Sequence, residues 1–319
     1  MDCGLCIWGC PEEAIYSPQY TLNECLKFEK FNYHPGIQIK WFKSNHDKIL
    51  TDIIYLENGI EKNKPVENII LGAGAINSAI ILLSTLNANK DKPGKSIKSI
   101  GLMDTKVIKI PFLHIQSLAK KFITSKIQFN RIVSLLRTSS KNYSQWTQIE
   151  ILSLGSLIYH PLVKKISGSV WLSTKIFNWF KSGLFVATVY LPDKINKKNY
   201  IQVNFKEREV ESIDFKYFQT QESRLFEQKI CNKFKKLILS AGCIFLPSLK
   251  IVPQLGAGIH YAGTIPMSLK YKSQAVDKYC KSYDYSNLYI CDASTFSSLP
   301  SKSLSLSIIA NSIRITERL

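Results

Sequence analysis

The sequence predicts an α/β protein, or α+β in the broader sense, in which a strand-turn-helix unit precedes a region of antiparallel strands. Residues 66–71 form a short apolar run that ends in Gly72-Ala-Gly74, and residues 75–86 then carry apolar side chains at helical spacing. Residues 183–191 and 199–205 are rich in β-branched and aromatic side chains and are joined by a turn-like Pro-Asp-Lys sequence. These features predict an antiparallel strand pair.

The other elements divide the chain into three segments. Near residue 100 the sequence becomes rich in aromatic residues and poor in Gly and Pro, which indicates a second domain. We therefore expect segments 1–99, 100–250 and 251–319. The remaining predicted elements are a cysteine-rich loop at the N-terminus, a short helix at about 21–28, strands within 37–60, a loop at 87–98, a helix at 219–241 that stops at Gly242, a strand at 287–290 and a helix at about 303–318.

The composition is that of an ordinary globular protein. Of 319 residues, 45% are hydrophobic and 21% are charged, which argues against disorder. The net charge of +18 arises from scattered lysines, with no long basic run or zinc motif, so we expect no nucleic-acid binding. No apolar run is long enough to span a bilayer, and cysteines interrupt the N-terminus where a signal peptide would be apolar. We expect a cytoplasmic protein whose eight cysteines are mostly reduced.

The last seventy residues carry an ordered series of motifs. The series is Gly258-Ile-His260-Tyr-Ala-Gly263-Thr264, then Val276-Asp277, then Asn287-Leu-Tyr-Ile-Cys-Asp292-Ala-Ser294. It resembles the C-terminal block of the glucose-methanol-choline (GMC) family of FAD-dependent oxidoreductases. The resemblance implies an FAD-binding α/β domain that is split in sequence, with an inserted substrate domain built on an antiparallel sheet. The implied reaction is oxidation of the CH-OH group of an alcohol, sugar or polyol by hydride transfer to FAD.

The resemblance also implies the site residues. His260 is the expected base, and histidine suits this role because it titrates near neutral pH. Asp292 and the backbone N-H of Ala293 are expected at the ribityl or pyrophosphate part of FAD. At the second catalytic position the family has histidine or asparagine, whereas this chain has Ser303, which can donate a hydrogen bond but cannot replace an imidazole as a proton acceptor. The internal glycine turn implies further cofactor-binding residues, namely Gly72, Gly74, Ala75 and Ser78.

Two features leave alternatives open. The family's opening Gly-x-Gly-x-x-Gly module does not precede these motifs in the 319 residues. We therefore expect either a separate polypeptide that carries this module or a truncated, non-catalytic product. In addition, Cys3, Cys6 and Cys10 reproduce part of a ferredoxin pattern, so an iron-sulfur redox protein is a further alternative, with covering-loop cysteines favoured.

Overall fold

A computed structural model describes residues 10, 12–120, 132–140, 143–153, 168–254, 256, 258, 260–317 and 319. The chain forms two compact units that alternate along the sequence. The unit that we call the site unit comprises His34–Lys106, Pro192–Thr220 and Gln254–Leu319. The other, which we call the sheet unit, comprises Val107–Leu191, Gln221–Pro253 and the described residues of Met1–Tyr33.

Small sheets and two helices make up the site unit. An antiparallel meander has the order β1-β2-β3, a second three-stranded sheet has the order β13-β12-β5, and β4 pairs with β16 in parallel. Two further pairs are β6 with β15 and β11 with β17. The elements are β1 (Ile37–Ser44), β2 (Leu50–Glu57), β3 (Ile60–Pro65), β4 (Ile69–Leu71), α2 (Ala75–Ala88), β5 (Ile97–Ile100), β6 (Met103–Asp104), β11 (Asp193–Lys194), β12 (Tyr200–Lys206), β13 (Glu209–Lys216), β15 (Tyr261–Ala262), β16 (Leu288–Ile290), β17 (Ser298–Leu299) and α5 (Ser305–Thr316).

Helix α2 is the centre of the site unit. Ten of its 14 residues are buried, and it contacts β1, β5 and β12. Leu82 and Leu83 of this helix share one apolar core with Phe42, Ile201 and Leu288. A helix that is apolar on nearly every side is stable only when protein surrounds it, so α2 fixes the strands on either side of it.

In the sheet unit, one helix packs on a five-stranded sheet of order β14-β7-β10-β9-β8. The pairs β14 with β7, β10 with β9 and β9 with β8 run antiparallel. Ile230, Phe234 and Ile238 recur at helical spacing, and this stripe is buried with Ile110 and other sheet residues. The elements are α1 (Pro18–Cys25), β7 (Lys106–His114), β8 (Ile132–Ser140), β9 (Tyr143–Ser153), α3 (Val170–Phe180), β10 (Leu184–Leu191), α4 (Gln221–Ser240) and β14 (Cys243–Phe245).

Most predicted elements are confirmed, with small shifts at their ends. The strand, glycine turn and helix at 66–86 appear as β4 and α2, and the strand-rich stretch at 37–60 is the meander. The long helix ends at Ser240, and Gly242 adopts φ = 73°, as its C-terminal signal predicts. The first helix begins at Pro18 rather than near residue 21, because Ser17 caps its start and proline suits the first turn.

The predicted antiparallel pair between residues 183–191 and 199–205 is wrong. Both strands exist as β10 and β12, but β10 lies between β7 and β9, whereas β12 lies between β13 and β5. The residues between them do not form a hairpin turn, because β11 continues the chain to pair with β17. Residues 192–220, which fall inside the predicted 100–250 segment, thus belong to the site unit, since β12 pairs with β5.

Candidate functional site

A tight turn joins β4 to α2. Gly74 caps the helix with φ = 84°, a left-handed conformation that favours glycine. Gly72 is required for a different reason, because a Cβ atom there would lie 2.8 Å from Cys291 Sγ. The turn therefore needs its first glycine for space and its second for backbone conformation.

Asp292 ties this turn to the loop after β16. Because β4 and β16 are parallel, the residues that follow them meet at the same edge. Asp292 Oδ2 accepts hydrogen bonds from the Gly74 N-H (2.9 Å) and the Ser78 hydroxyl (2.5 Å), and Oδ1 accepts one from the Ser294 N-H (2.8 Å). The Ser78 hydroxyl in turn accepts from the Ala73 N-H at 3.1 Å. The carboxylate is 5% exposed, so it acts as an internal cross-link between both loops.

His260 precedes β15, which pairs with β6. The Thr105 N-H donates to the His260 carbonyl oxygen at 3.1 Å and so anchors the histidine backbone. The imidazole is half-buried, and its Nδ1 is buried with no hydrogen-bond partner among the described residues. Burial lowers the pKa of His260 below its usual 6.5. The imidazole is therefore neutral at neutral pH and can accept a proton.

These residues surround one cavity of about 330 Å3. Its wall includes the start of α2, from Gly74 to Asn77, and the start of α5, with Ser305 and Ile308. Both helices thus direct their N-terminal ends at the cavity, where unpaired N-H groups carry partial positive charge. The full lining is Ala73, Gly74, Ala75, Ile76, Asn77, His260, Tyr261, Asp292, Ala293, Leu304, Ser305 and Ile308. The cavity therefore offers N-H donors to a group that gains negative charge, beside the Asp292 carboxylate, which already accepts from the Gly74 N-H.

The structure gathers most of the predicted site residues. Five predicted residues line the cavity, namely Gly74, Ala75, His260, Asp292 and Ala293. Ser78 is fully buried and does not line it, and Gly72 comes directly before the first lining residue, Ala73. Ser303 is different, since it is exposed and does not line the cavity. Helix α5 begins at Ser305, two residues later than predicted, and the Ser303 hydroxyl lies 3.5 Å from the Ser305 hydroxyl. Ser305, unlike Ser303, therefore lines the cavity.

Sequence reasoning missed several residues near His260. Tyr261 and Ile308 line the cavity; Tyr261 lies within the motif that contains His260 but was not predicted as a site residue, and Ile308 lies outside the motifs. Asp104 is a buried carboxylate that accepts a hydrogen bond from the Gly258 N-H. A single acid directly after the apolar Leu102-Met103 was the only signal for Asp104.

Of the three cysteines in the ferredoxin-like pattern, the structure describes Cys10 alone. Cys3 and Cys6 lie outside the described residues, and Cys10 is a half-buried free thiol. Within the described part of the chain, no three His, Cys, Asp or Glu side chains are grouped to hold a metal ion.

The helices that the structure describes are too short or too polar to cross a bilayer.

The chain is similar to known proteins in its C-terminal sequence and in its fold. Residues 249–312 match the family model described as GMC oxidoreductase. None of the curated proteins matches this chain by sequence. Among solved structures, pyridoxine 4-oxidase from Mesorbium loti superposes with a TM-score of 0.61 and 14% identity, over 88% of this chain and 57% of that one.

Two other structures are similar. An FAD-dependent oxidoreductase from Chaetomium thermophilum has a TM-score of 0.53 and 14% identity, covering 89% of this chain and 60% of its own. A formate oxidase variant from Aspergillus oryzae has a TM-score of 0.56 and 12% identity, covering 88% and 59%. The chain thus spans less than two thirds of the length of each structure. The C-terminal segment of the chain matches the GMC oxidoreductase family model, and its mixed α/β fold is similar to the fold of these oxidoreductase structures.

Proposed function

We propose that the chain is the substrate-binding and flavin-contacting part of an FAD-dependent oxidoreductase that oxidises the CH-OH group of an alcohol, sugar or polyol. The observation that carries this proposal is the meeting of His260 with two helix N-termini at one cavity. A neutral imidazole supplies a base, and the helix ends stabilise negative charge. Both are needed where an alcohol loses a proton and a hydride.

The residues present fit FAD. Close approach of a cofactor to backbone N-H groups needs small residues, and Gly74, Ala75 and Ala293 supply them at the cavity. The N-terminus of α5 would face the part of the cofactor where negative charge develops on reduction. When bound, FAD supplies the hydride acceptor. Asp292 would hold Gly74 and Ser294 in place, and the remaining acceptor capacity of its oxygens would serve the hydroxyls of the ribityl chain. The Ala293 N-H would be the donor toward the ribityl or pyrophosphate region.

His260 is the proposed base. It would take the proton of the substrate hydroxyl while the carbon that bears this hydroxyl loses a hydride. The alcohol thereby becomes a carbonyl compound. Burial favours the neutral form that this step requires. Ser303, at 3.5 Å from Ser305, would add a hydrogen-bond donor beside the cavity rather than a second proton acceptor.

The parallel sheet of β4 and β16 has only two strands within the described residues, which favours the presence of further strands in the complete protein. Within the described residues β4 and β16 pair only with each other, and Ile70 in the middle of β4 is 45% exposed. Parallel sheets are normally covered on both faces and larger than two strands. We propose that a Gly-x-Gly-x-x-Gly module outside these 319 residues, on a separate polypeptide or on a longer form of this one, completes the sheet and holds the adenosine part of FAD. A cytoplasmic location, in which the cysteines stay reduced, belongs to the same proposal.

The test is flavin binding and reduction. FAD is added to the purified chain, alone and with the complementary module, and the visible spectrum is followed anaerobically after addition of an alcohol or sugar. We expect the module to tighten FAD binding and the flavin band to bleach. His260→Ala should slow bleaching by about two to four orders of magnitude, the usual contribution of a general base. His46→Ala, which alters an exposed histidine of the site unit, is the matched control. Bound flavin that no alcohol or sugar reduces would refute the proposal.

A further inference from the structure

A buried carboxylate lies beneath the loop that leads to His260. Asp104, in β6, is 4% exposed, and its Oδ2 accepts a hydrogen bond from the Gly258 N-H at 3.1 Å. Its other oxygen, Oδ1, is buried and makes no hydrogen bond of good geometry within the described residues, although the nearby Gly256 N-H also stabilises the ionised carboxylate. The loop therefore rests on a charged group that is only partly satisfied.

Asp193 and Tyr217 hold the backbone of Asp104 in place. Its backbone N-H donates to Asp193 Oδ2 at 3.0 Å, and the Tyr217 hydroxyl donates to that same oxygen at 2.7 Å. Burial, together with the nearby Asp193, raises the pKa of Asp104 to about 6. A charged side chain in this position is unfavourable to the fold at neutral pH, where an apolar residue would be tolerated better. The carboxylate therefore needs a role that an apolar side chain could not fill.

The geometry of Gly258 points to that role. A Cβ atom at Gly258 would overlap the Asp104 carboxylate and would lie 2.6 Å from the Thr105 carbonyl oxygen. The loop backbone thus passes directly over Asp104. Two residues further on, the His260 carbonyl oxygen accepts from the Thr105 N-H. Asp104, the last residue of β6, and Thr105, the residue directly after it, therefore hold the backbone at Gly258 and at His260.

We propose that Asp104 is a positioning residue for His260. Its carboxylate fixes the Gly258 N-H and thereby sets where the following imidazole stands at the cavity. The inference rests on the proposed function, in which His260 is the base. It adds a residue from a distant part of the chain that touches neither cofactor nor substrate.

The first test measures the loop without FAD. Amide hydrogen exchange is followed in the full chain for wild type, Asp104→Ala and Asp104→Asn. Loss of a hydrogen bond to a carboxylate should reduce protection of the Gly258 amide by about 10- to 100-fold in Asp104→Ala. Asp104→Asn keeps an acceptor oxygen and should restore protection to within about threefold. Unchanged Gly258 exchange in Asp104→Ala would overturn the proposal.

The matched control is Asp284→Ala. Asp284 is also a buried carboxylate of the site unit, 8% exposed, and its Oδ2 accepts from the Gln274 N-H at 2.7 Å. This substitution removes the same kind of bond away from His260, and it should leave Gly258 exchange unchanged. If it affects Gly258 as strongly as Asp104→Ala does, the effect is general loosening and the proposal fails.

The second test uses flavin reduction in the completed, FAD-bound protein. Asp104→Ala should lower the rate constant by about 10- to 100-fold with little change in the apparent affinity for the alcohol, because a misplaced base weakens the transition state more than substrate binding. Asp104→Asn should recover most of the rate. If Asp104→Ala does not fold, Gly258→Ala, which displaces the loop while keeping the carboxylate, should show the same loss. A normal rate in an enzyme whose Gly258 protection is lost would refute positioning. If wild type reduces no flavin, the proposed function fails, and the exchange test still decides whether Asp104 holds the loop.

Discussion

Replacement of Ser78 by alanine should destabilise the site unit by about 2 to 3 kcal/mol. The Ser78 hydroxyl is fully buried, donates to Asp292 at 2.5 Å and accepts from the Ala73 N-H at 3.1 Å. A hydrogen bond to a charged group contributes about 1.5 to 3 kcal/mol, and the Ala73 N-H also loses a partner. The higher helix propensity of alanine returns about 0.5 kcal/mol.

Ser84 provides the matched control within the same helix. Its hydroxyl is also buried, at 2% exposure, but has no hydrogen-bond partner among the described residues. Ser84→Ala removes the same oxygen without breaking a bond, so the free energy of unfolding should stay unchanged or rise slightly. The structure therefore predicts a difference of about 2 to 3 kcal/mol between two chemically identical substitutions.

The assay must report on the site unit alone, because two units need not unfold together. Trp41 is in the site unit and is 8% exposed. In chain labelled with 5-fluorotryptophan, the fluorine signal of Trp41 can be followed by NMR through a urea titration. Equal loss of stability in Ser78→Ala and Ser84→Ala would refute the role assigned to the Asp292 cross-link.

Three further predictions concern the same region. The rate of flavin reduction should rise with pH through a pKa below 6.5 and then level off near neutral pH, because burial lowers the pKa of the His260 imidazole; a rate still rising there would contradict this. The carboxyl carbon of Asp104 should titrate at about 6 by NMR, with Asp104→Asn for assignment, and titration near 3.8 would show a solvated group. The folded state then holds this proton more tightly than the unfolded state does, so the Asp104 carboxyl makes the site unit less stable as the pH rises from 3.8 to about 6. Gly72→Ala should destabilise by about 1 to 3 kcal/mol through the 2.8 Å approach to Cys291 Sγ, measured by urea unfolding, and adding Cys291→Ala should restore most of the loss; simple additivity would contradict the clash.

The sequence predicted local structure better than pairing. Strand, turn and helix at 66–86 follow from apolar periodicity and from two glycines, which act over a few residues. The strands that pair with β10 and β12 cannot be predicted in this way, because an apolar strand fits any sheet edge that buries it. His260 and Asp292, which the sequence motifs single out, both line one cavity, whereas Ser303 does not, because α5 starts later than the spacing predicts.

Asp104 was invisible in the sequence for a physical reason. Its relation to His260 arises from the pairing of β6 with β15, which are two residues long each. Such short strands have no periodicity to detect. The carboxylate is also in a stretch that resembles no motif, so only the folded chain shows which loop it supports.

The parallel pairing of β4 with β16 has a consequence for biosynthesis. Gly74 and its partner Asp292 are 218 positions apart, and two segments of the sheet unit, Val107–Leu191 and Gln221–Pro253, are translated between them. At about 5 to 20 residues per second, β4 and α2 leave the ribosome roughly 10 to 45 seconds before β16 exists. The surfaces of β4 and α2 that later contact β16 and the loop after it stay uncovered during this interval, while the sheet unit can already fold. Assembly of the cavity is thus the last step, and aggregation of the nascent chain is most probable in the interval before it.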